Sequence, residues 1–594
     1  MTAQALDVPV DSRPMDRDLS FQENLRLRLA TLDDLPRLAL LGLICGLATG
    51  GVIVLFRASI DATQALFTLG TSAASLSPLS RLVLATLGGL VVGILLQFLA
   101  GESRRVGIVH VMERLAYFQG RLPWTNAAWQ FIGATLCIAA GHSVGREGPG
   151  VHLGAASASL VGQWLNVPHG SLRILVACGV AAAIAASFNT PLAGVIFSME
   201  AVMMEYTIAG FAPVILAAVS ATTVARVVFG DSPAFDVPPL HIGSLVELPY
   251  IVVIGLLIGA LAAALVHLLR EIDRRGQSYP LWQRTTVAGL VVGVCAWQFP
   301  QISGVGYDTV YASLAGEIGI GLGLTIAAIK LFATATSIGL SIPGGIIGPT
   351  LVIGATAGSS LGLLAAQWLP THVSSASFYA MLGMGAMMGA TLQAPLAALT
   401  ALVELTSNPA IILPGMLAVI TAGLASSELF RAPPALIMLA RARGLDYRND
   451  PVAQSLRRIG VTRVMNRSLV VTPPGLTEAE AEKLLHSKPQ WIVVRGDGDP
   501  TTVLPAADLA THLRELQLAE QRPEIIDLLQ IPAQRRDLIV IDVRATLQEA
   551  LDALADDRTR VLCVAHRGRG RVRVLGIVTT HDIELQYAYR PPLR

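Results

Sequence analysis

The sequence predicts an all-α polytopic membrane protein built from two homologous halves and followed by a soluble α/β region. Three observations predict it. The 594 residues are 53% hydrophobic and only 14% charged, with a mean hydropathy of +0.58, whereas soluble domains carry about a quarter charged residues. The charge is uneven: residues 1–36 are polar, the chain from Leu38 to Ala440 is largely apolar, and charge returns after Arg441. The apolar body also repeats itself, with Gly145 answered by Gly345. With 43 basic and 42 acidic residues nothing points to nucleic acid. The 55 glycines and 33 prolines exclude a simple bundle of long unbroken helices.

Residues 1–36 hold Arg13, Arg17, Arg26 and Arg28 among several acids, without the apolar core of a signal peptide. In the body, the uncharged runs Leu38–Phe56 and Leu82–Ala100 are long enough to cross a bilayer core of ~30 Å, and Tyr250–Leu265 and the stretch from Ile318 are similar. Gly107–Val111, Thr125–Ala140, Val287–Trp297 and Phe378–Gly389 read as shorter or broken segments. Irregular backbone at membrane depth is tolerated where it is buried in protein or lines a polar cavity, which points to a pathway rather than an anchor; a receptor-like bundle with loose loops is the plainer alternative. Arg37 on one side and Arg441, Arg443 and Arg448 on the other place both ends in the cytoplasm, with an even number of crossings. The five cysteines (Cys45, Cys137, Cys178, Cys295, Cys563) have no metal or redox spacing.

The repeat carries the most information. Gly145–Gly162 reads GREGPGVHLGAASASLVG and Gly345–Gly362 reads GIIGPTLVIGATAGSSLG; Asn189–Glu200 (NTPLAGVIFSME) is answered by Gln393–Glu404 (QAPLAALTALVE). Paired segments interrupted by Gly and Pro, in matching halves, mark the substrate site of repeat-built transporters. A helix that begins inside the membrane aims unsatisfied N–H groups and a positive dipole end at that spot. Glycine allows close approach and proline suits the first turn, so both GxxGP blocks suit an anion.

Acids in the body are sparse, chiefly Glu147, Glu200, Glu205 and Glu404, and an intramembrane carboxylate is a functional candidate. Glu147 heads an expected helix, where it is either functional or simply a favourable N-terminal acid. Glu200 and Glu404 occupy equivalent repeat positions, which favours structural pairing. Lys330 either raises the local potential for anions or snorkels to an interface.

At GREGP (Gly145–Pro149), FNTPLAGVIFSME (Phe188–Glu200) and PGGIIGP (Pro343–Pro349) the chain resembles the CLC family of chloride channels and chloride/proton antiporters, over roughly residues 30–445. The resemblance implies a homodimer in the plasma (cell inner) membrane, with one anion pathway in each subunit and two inverted repeats of about eighteen tilted, partly re-entrant helices. It gives Glu147 the role of gate, and assigns anion binding mainly to backbone at Gly107, Ile108, Glu147, Gly148, Ile346 and Ile347. Three family positions are substituted. Val106 stands for the usual serine of the first anion loop, and Ala435 for the anion-binding tyrosine. Ala201 replaces the inner proton-relay glutamate. A hydrogen bond to a charge contributes ~1.5–3 kcal/mol, so losing two side-chain donors weakens anion binding. Alanine does not titrate, which puts fixed-ratio proton coupling in doubt.

Residues 446–594 are expected to form a cytoplasmic tandem resembling CBS domains, at about 461–515 and 535–590. Strand-like runs are Trp491–Val494, Leu538–Val543 and Val561–Ala565, with a helix over Thr546–Leu554. By that resemblance Thr579 and Asp582 are a candidate adenine-nucleotide pair, whereas the first unit keeps Asp508 but has Pro505 at the hydroxyl position; a purely structural, dimer-supporting module is the alternative. No required cofactor, catalytic residue or metal ligand is expected.

The expected function is transport of chloride or a similar small anion through the lipid bilayer. Conduction that is channel-like or weakly proton-coupled is favoured over strictly coupled chloride/proton exchange. Two other classes compete: a CBS-regulated divalent cation channel, which should show more pore carboxylates, and a membrane hydrolase using His142 and Ser143, which lack a third partner.

Overall fold

The computed structural model describes residues 34–68, 70, 76–205, 208–231, 235, 242–368, 374–445, 452, 455, 456, 459–495, 500–518, 523–554, 561–568 and 571–587. The N-terminal arginines and Arg448 lie outside them. The first half of the membrane body comprises α1 (Asp34–Phe67), α2 (Pro78–Ile94), α3 (Ile108–Tyr117), α4 (Trp124–Ala139), α5 (Glu147–Leu165), α6 (His169–Phe188), α7 (Pro191–Phe197) and α8 (Ile208–Phe229). The second half repeats this order as α9 (Leu248–Gly276), α10 (Leu281–Gln298), α11 (Tyr307–Leu314), α12 (Ile320–Gly339), α13 (Ile347–Trp368), α14 (Ala376–Leu392), α15 (Pro395–Thr406) and α16 (Ile412–Leu424), and α17 (Ala435–Ala442) closes the body.

Local sequence places the breaks in both halves alike. Helix α6 ends on left-handed Asn189 and α14 on left-handed Gln393. Each is followed two residues later by a proline, Pro191 or Pro395, that opens the next helix in the position where a missing N–H does no harm. Val287–Trp297, expected to be shorter or broken, lies inside the continuous 18-residue helix α10, and Phe378–Gly389 inside the 17-residue α14, which are short but unbroken. Their glycines serve close packing rather than chain reversal.

The two halves are inverted about a local two-fold axis. Gly145 N–H donates to the Gly345 carbonyl and Gly345 N–H to the Gly145 carbonyl, both at 2.7 Å, as an antiparallel bridge between repeat-equivalent residues. Glu200 accepts from the amides of Leu396 (3.2 Å) and Ala397 (2.7 Å), and Glu404 accepts from those of Leu192 (2.9 Å) and Ala193 (2.7 Å). Each carboxylate caps the start of the opposite half's short helix, so the structural pairing expected for both is what the fold uses. The close crossings repeat too. A Cβ on Gly154 would lie 2.3 Å from the Gly179 carbonyl oxygen, and one on Gly354 2.2 Å from that of Gly383.

Eight helices are long and apolar enough to cross a membrane among the described residues. Outer helices such as α2 and α10 expose Leu79, Val83, Leu87, Leu290 and Val294, a surface suited to lipid. Helices α5 and α13 are enclosed almost throughout.

The C-terminal region forms a six-stranded sheet in the order β1-β3-β4-β6-β7-β8. In the first unit β1 (Leu469–Thr472) pairs parallel with β3 (Trp491–Val494), which pairs antiparallel with β4 (Thr502–Pro505), with helices α18 (Glu478–His486) and α19 (Ala506–Leu518). The second unit repeats the pattern with β6 (Arg536–Asp542), β7 (Val561–Gly568), β8 (Arg571–Val578), α20 (Leu547–Ala553) and α21 (Thr580–Tyr587). A short pair, β2 (Gly475–Leu476) and β5 (Ile526–Asp527), completes the region. The sheet docks on the membrane body at the start of α6: His169 N–H donates to the Arg544 carbonyl at 3.2 Å, and its ring Nδ1 lies 3.0 Å from Glu549 Oε2.

Candidate functional site

The starts of α5 and α13 meet at the centre of the body, where Gly148 and Gly345 are in backbone contact. A Cβ on Gly345 would lie 2.5 Å from the Gly148 nitrogen, and one on Gly148 2.7 Å from the Gly345 Cα, so only glycine admits this approach. The first amides of each helix have no intrahelical acceptor and point into the junction with the positive dipole end.

Glu147, the first residue of α5, is completely buried. Its carboxylate reaches across to the other half, where Oε2 accepts from the Gly348 N–H at 3.1 Å and Oε1 from the Tyr307 hydroxyl at 2.7 Å. The carboxylate is thus held by a helix-start amide and a hydroxyl, the kinds of donor that suit a negative group. Of the expected backbone donors, Ile346 and Ile347 lie at this same junction, and the next amide, that of Gly348, makes the contact. Neither Gly348 nor Tyr307 was singled out from the sequence. Gly348 follows from the GxxGP spacing once the helix start is placed, whereas Tyr307 lies 160 residues from Glu147 and nothing local announces it.

On the other side of the junction a cavity of about 540 Å³ runs from Gly148, Gly345 and Ile346 past Gly107, Ile108 and Val106 to an opening beside Arg443 and Leu445, where the chain leaves the membrane body. Gly107 has φ +86 and turns the chain so that α3 starts at the cavity wall. Arg104, Arg105, Arg284 and Arg443 surround the cavity, with Glu113 and Asp273 as the acids among them. Arg105 pairs with Glu113, and Arg284 lies 3.6 Å from Asp273. This basic mouth, assembled from residues far apart in the chain, raises the local concentration of small anions. Ala435 is buried in the first turn of α17, whose Leu436 and Leu439 face the cavity, and Val106 lines it, so neither position offers a hydroxyl. Ala201 is buried in the π-helical turn Ser198–Met203 and supplies no titratable group.

Other sequence candidates resolve into structural roles. Lys330 does not snorkel: it is fully buried, and its Nζ donates to the carbonyls of Ile302 (2.9 Å) and Gly304 (2.7 Å), in the loop that leads to Tyr307. Glu205 pairs with Arg173 at 3.2 Å. The Ser143 hydroxyl lies 3.0 Å from that of Thr334, and His142 is fully buried. The two therefore form no nucleophile–base pair. In the C-terminal sheet, Asp582 Oδ2 accepts from the Thr579 amide (2.8 Å) and hydroxyl (2.7 Å), a reciprocal cap at the start of α21. Asp508 accepts from the Gln534 amide at 2.7 Å.

A membrane body of inverted halves, with helix starts converging on a buried negative group and a basic mouth below it, defines an anion-transport protein. The family model described as voltage gated chloride channel matches residues 88–427, and the CBS domain model matches residues 530–585. The chain therefore belongs to the voltage-gated chloride channel (CLC) family. It is 33% identical to the putative chloride channel protein ClcB-like of Ralstonia nicotianae, over 63% of this chain and 89% of that protein. It is 28% identical to the H(+)/Cl(−) exchange transporter ClcA of Salmonella arizonae, over 70% and 90%. In fold it is similar to a slow cyanobacterial Cl−/H+ antiporter (TM-score 0.62, 23% identity, 71% of this chain and all of that one). A eukaryotic CLC transporter covers more of it (TM-score 0.61, 19% identity, 95% and 99%). These likenesses set aside the cation-channel alternative.

Proposed function

We propose that the protein conducts chloride, or a similar small inorganic anion, passively or with weak proton coupling, and that Glu147 is the gate. The cavity carries this reading. It reaches from the basic mouth to Gly148 and Gly345, the residues beside Glu147, with Val106 along its wall. The Glu147 carboxylate is the group that closes the way beyond. In the closed state it takes the donors that an anion would use; protonation or displacement frees them. The main-chain amides at Gly107, Ile108, Gly148, Ile346 and Ile347 serve as the remaining ligands. Because Ala201 does not titrate, no fixed-ratio delivery of protons to Glu147 is built in at that position.

Strictly coupled exchange is the second reading, favoured by the exchange activity named for the ClcA relatives. Purified protein in liposomes under a chloride gradient, with pH recorded on both sides, separates the two. Chloride run-down without fixed-ratio proton counterflow supports weak coupling, and protons driven uphill at a constant ratio overturn it.

The working form proposed here is a homodimer with one pathway per subunit, in the plasma membrane with both ends cytoplasmic. Adenine nucleotide at Thr579 and Asp582 is a further proposal, which requires Asp582 to exchange its cap for the ligand; calorimetric titration of the full chain with ATP tests it.

A further inference from the structure

The repeat places Tyr307 in a position that its sequence context conceals. Val106-Gly107-Ile108 opens α3, and Val305-Gly306-Tyr307 opens the equivalent helix α11 of the other half. Both glycines take a positive φ, +86 at Gly107 and +87 at Gly306, though only Gly306 is left-handed helical (ψ 26), while Gly107 is extended in ψ (−179). Inversion of the halves puts the first loop on the cavity side of Glu147 and the second on the opposite side. The first loop carries Val106 and no hydroxyl, whereas the second carries the Tyr307 hydroxyl, already 2.7 Å from the gate carboxylate.

We propose that Tyr307 is the side-chain anion ligand of this pathway: its hydroxyl, with the Gly348 amide, binds the Glu147 carboxylate in the closed state and the transported anion when that carboxylate leaves. The inference rests on the anion-transport reading above. The two oxygens of one carboxylate lie closer together than a hydrogen-bond length, so a single monatomic anion in their place reaches both donors. The hydroxyl is held for this task. Lys330 fixes the carbonyls of Ile302 and Gly304, and the Gly304 amide donates to the Gly141 carbonyl at 2.9 Å. The Tyr307 ring packs against Phe188 and Phe235, at centroid distances of 6.3 and 5.8 Å. The Arg146 guanidinium lies 5.2 Å from the ring centre and adds positive charge beside the site. The side-chain donor missing on the inner side has thus a counterpart on the outer side.

Two occupants sharing one donor predict opposite effects of one substitution. With Glu147 intact, Tyr307→Phe releases the gate and raises chloride flux at neutral pH. In the Glu147→Ala background, where the anion has the site to itself, the same change weakens chloride binding by about tenfold or more, read by calorimetric titration. Equal chloride affinity of Glu147→Ala and Glu147→Ala/Tyr307→Phe overturns the proposal, and so does an unchanged flux in the single variant. Phenylalanine keeps the ring contacts. Should the variants not accumulate, bromide anomalous density in Glu147→Ala crystals decides: a peak within hydrogen-bond reach of the Tyr307 hydroxyl supports the assignment, and peaks only on the cavity side refute it. Absence of any anion flux in the unaltered protein would instead remove the underlying transport reading.

Discussion

The two halves of the membrane body share a scaffold and differ in chemistry. Gly145 and Gly345 exchange identical bonds, Glu200 and Glu404 cap one another's helices, and the Gly154–Gly179 crossing is matched by Gly354–Gly383. Where function is concentrated the match fails. Glu147 is answered in the repeat by Ile347, Ile108 by Tyr307, and Gln130 by Lys330. Symmetry brings two helix starts to one point, and asymmetry supplies one carboxylate to fill it. A second carboxylate at position 347 would place like charges around one site and oppose the anion.

The scaffold residues should respond equally in both halves. Gly154→Val and Gly354→Val each push a side chain into a helix backbone and are expected to destabilise by about 3 kcal/mol or more. Thermal melts in detergent read this as early unfolding or loss of monodisperse protein. A large loss from one variant alone would break the equivalence.

The site residues should respond unequally. Glu147→Gln is expected to raise chloride flux at neutral pH and flatten its pH dependence, while Ile347→Gln leaves the shape of the pH profile unchanged; liposome flux between acid and neutral pH compares them. Glu200→Ala and Glu404→Ala form the next contrast. Each leaves two helix-start amides without their acceptor and is expected to cost ~1–3 kcal/mol of stability while sparing the pH response of flux.

The smallest expected effect lies at the docking contact of the C-terminal sheet. Asp542 is partly buried, which opposes its ionisation, yet the Arg544 hydrogen bonds at 2.8 and 3.0 Å hold its carboxyl below the usual aspartate range. A depressed carboxyl stabilises the fold above its unfolded value, and that contribution is lost as pH falls through the folded one. Acid unfolding of the C-terminal region should therefore shift slightly toward neutral pH in Arg544→Ala, followed by circular dichroism.

Much of the scaffold was legible because it is written in glycine and proline at fixed offsets, which constrain the backbone directly. The GxxGP blocks located both helix starts, the shared Pro-Leu-Ala blocks located the helices capped by Glu200 and Glu404, and the strand Trp491–Val494 matches β3. Val287–Trp297 reads as shorter or broken yet lies within a continuous helix, because a glycine that permits close helix packing has the same letter as one that ends a helix. The sequence leaves Lys330 between raising the local potential for anions and snorkelling, since the carbonyls that bind it come from a distant loop. For the same reason nothing local announces the Tyr307 hydroxyl or the cavity role of Arg104, Arg105, Arg284 and Arg443: partners from separate segments meet only in the folded chain.

In the proposed function one carboxylate, Glu147, competes with the anion at the meeting point of the two halves. Chloride efflux from liposomes, recorded from neutral to acid pH for the unaltered protein and for Glu147→Gln, tests it most directly. Flux is expected to rise on acidification in the unaltered protein, as the carboxylate is neutralised and leaves the Gly348 and Tyr307 donors. A high, nearly pH-independent flux is expected in the variant. Identical pH profiles for the two proteins would contradict it.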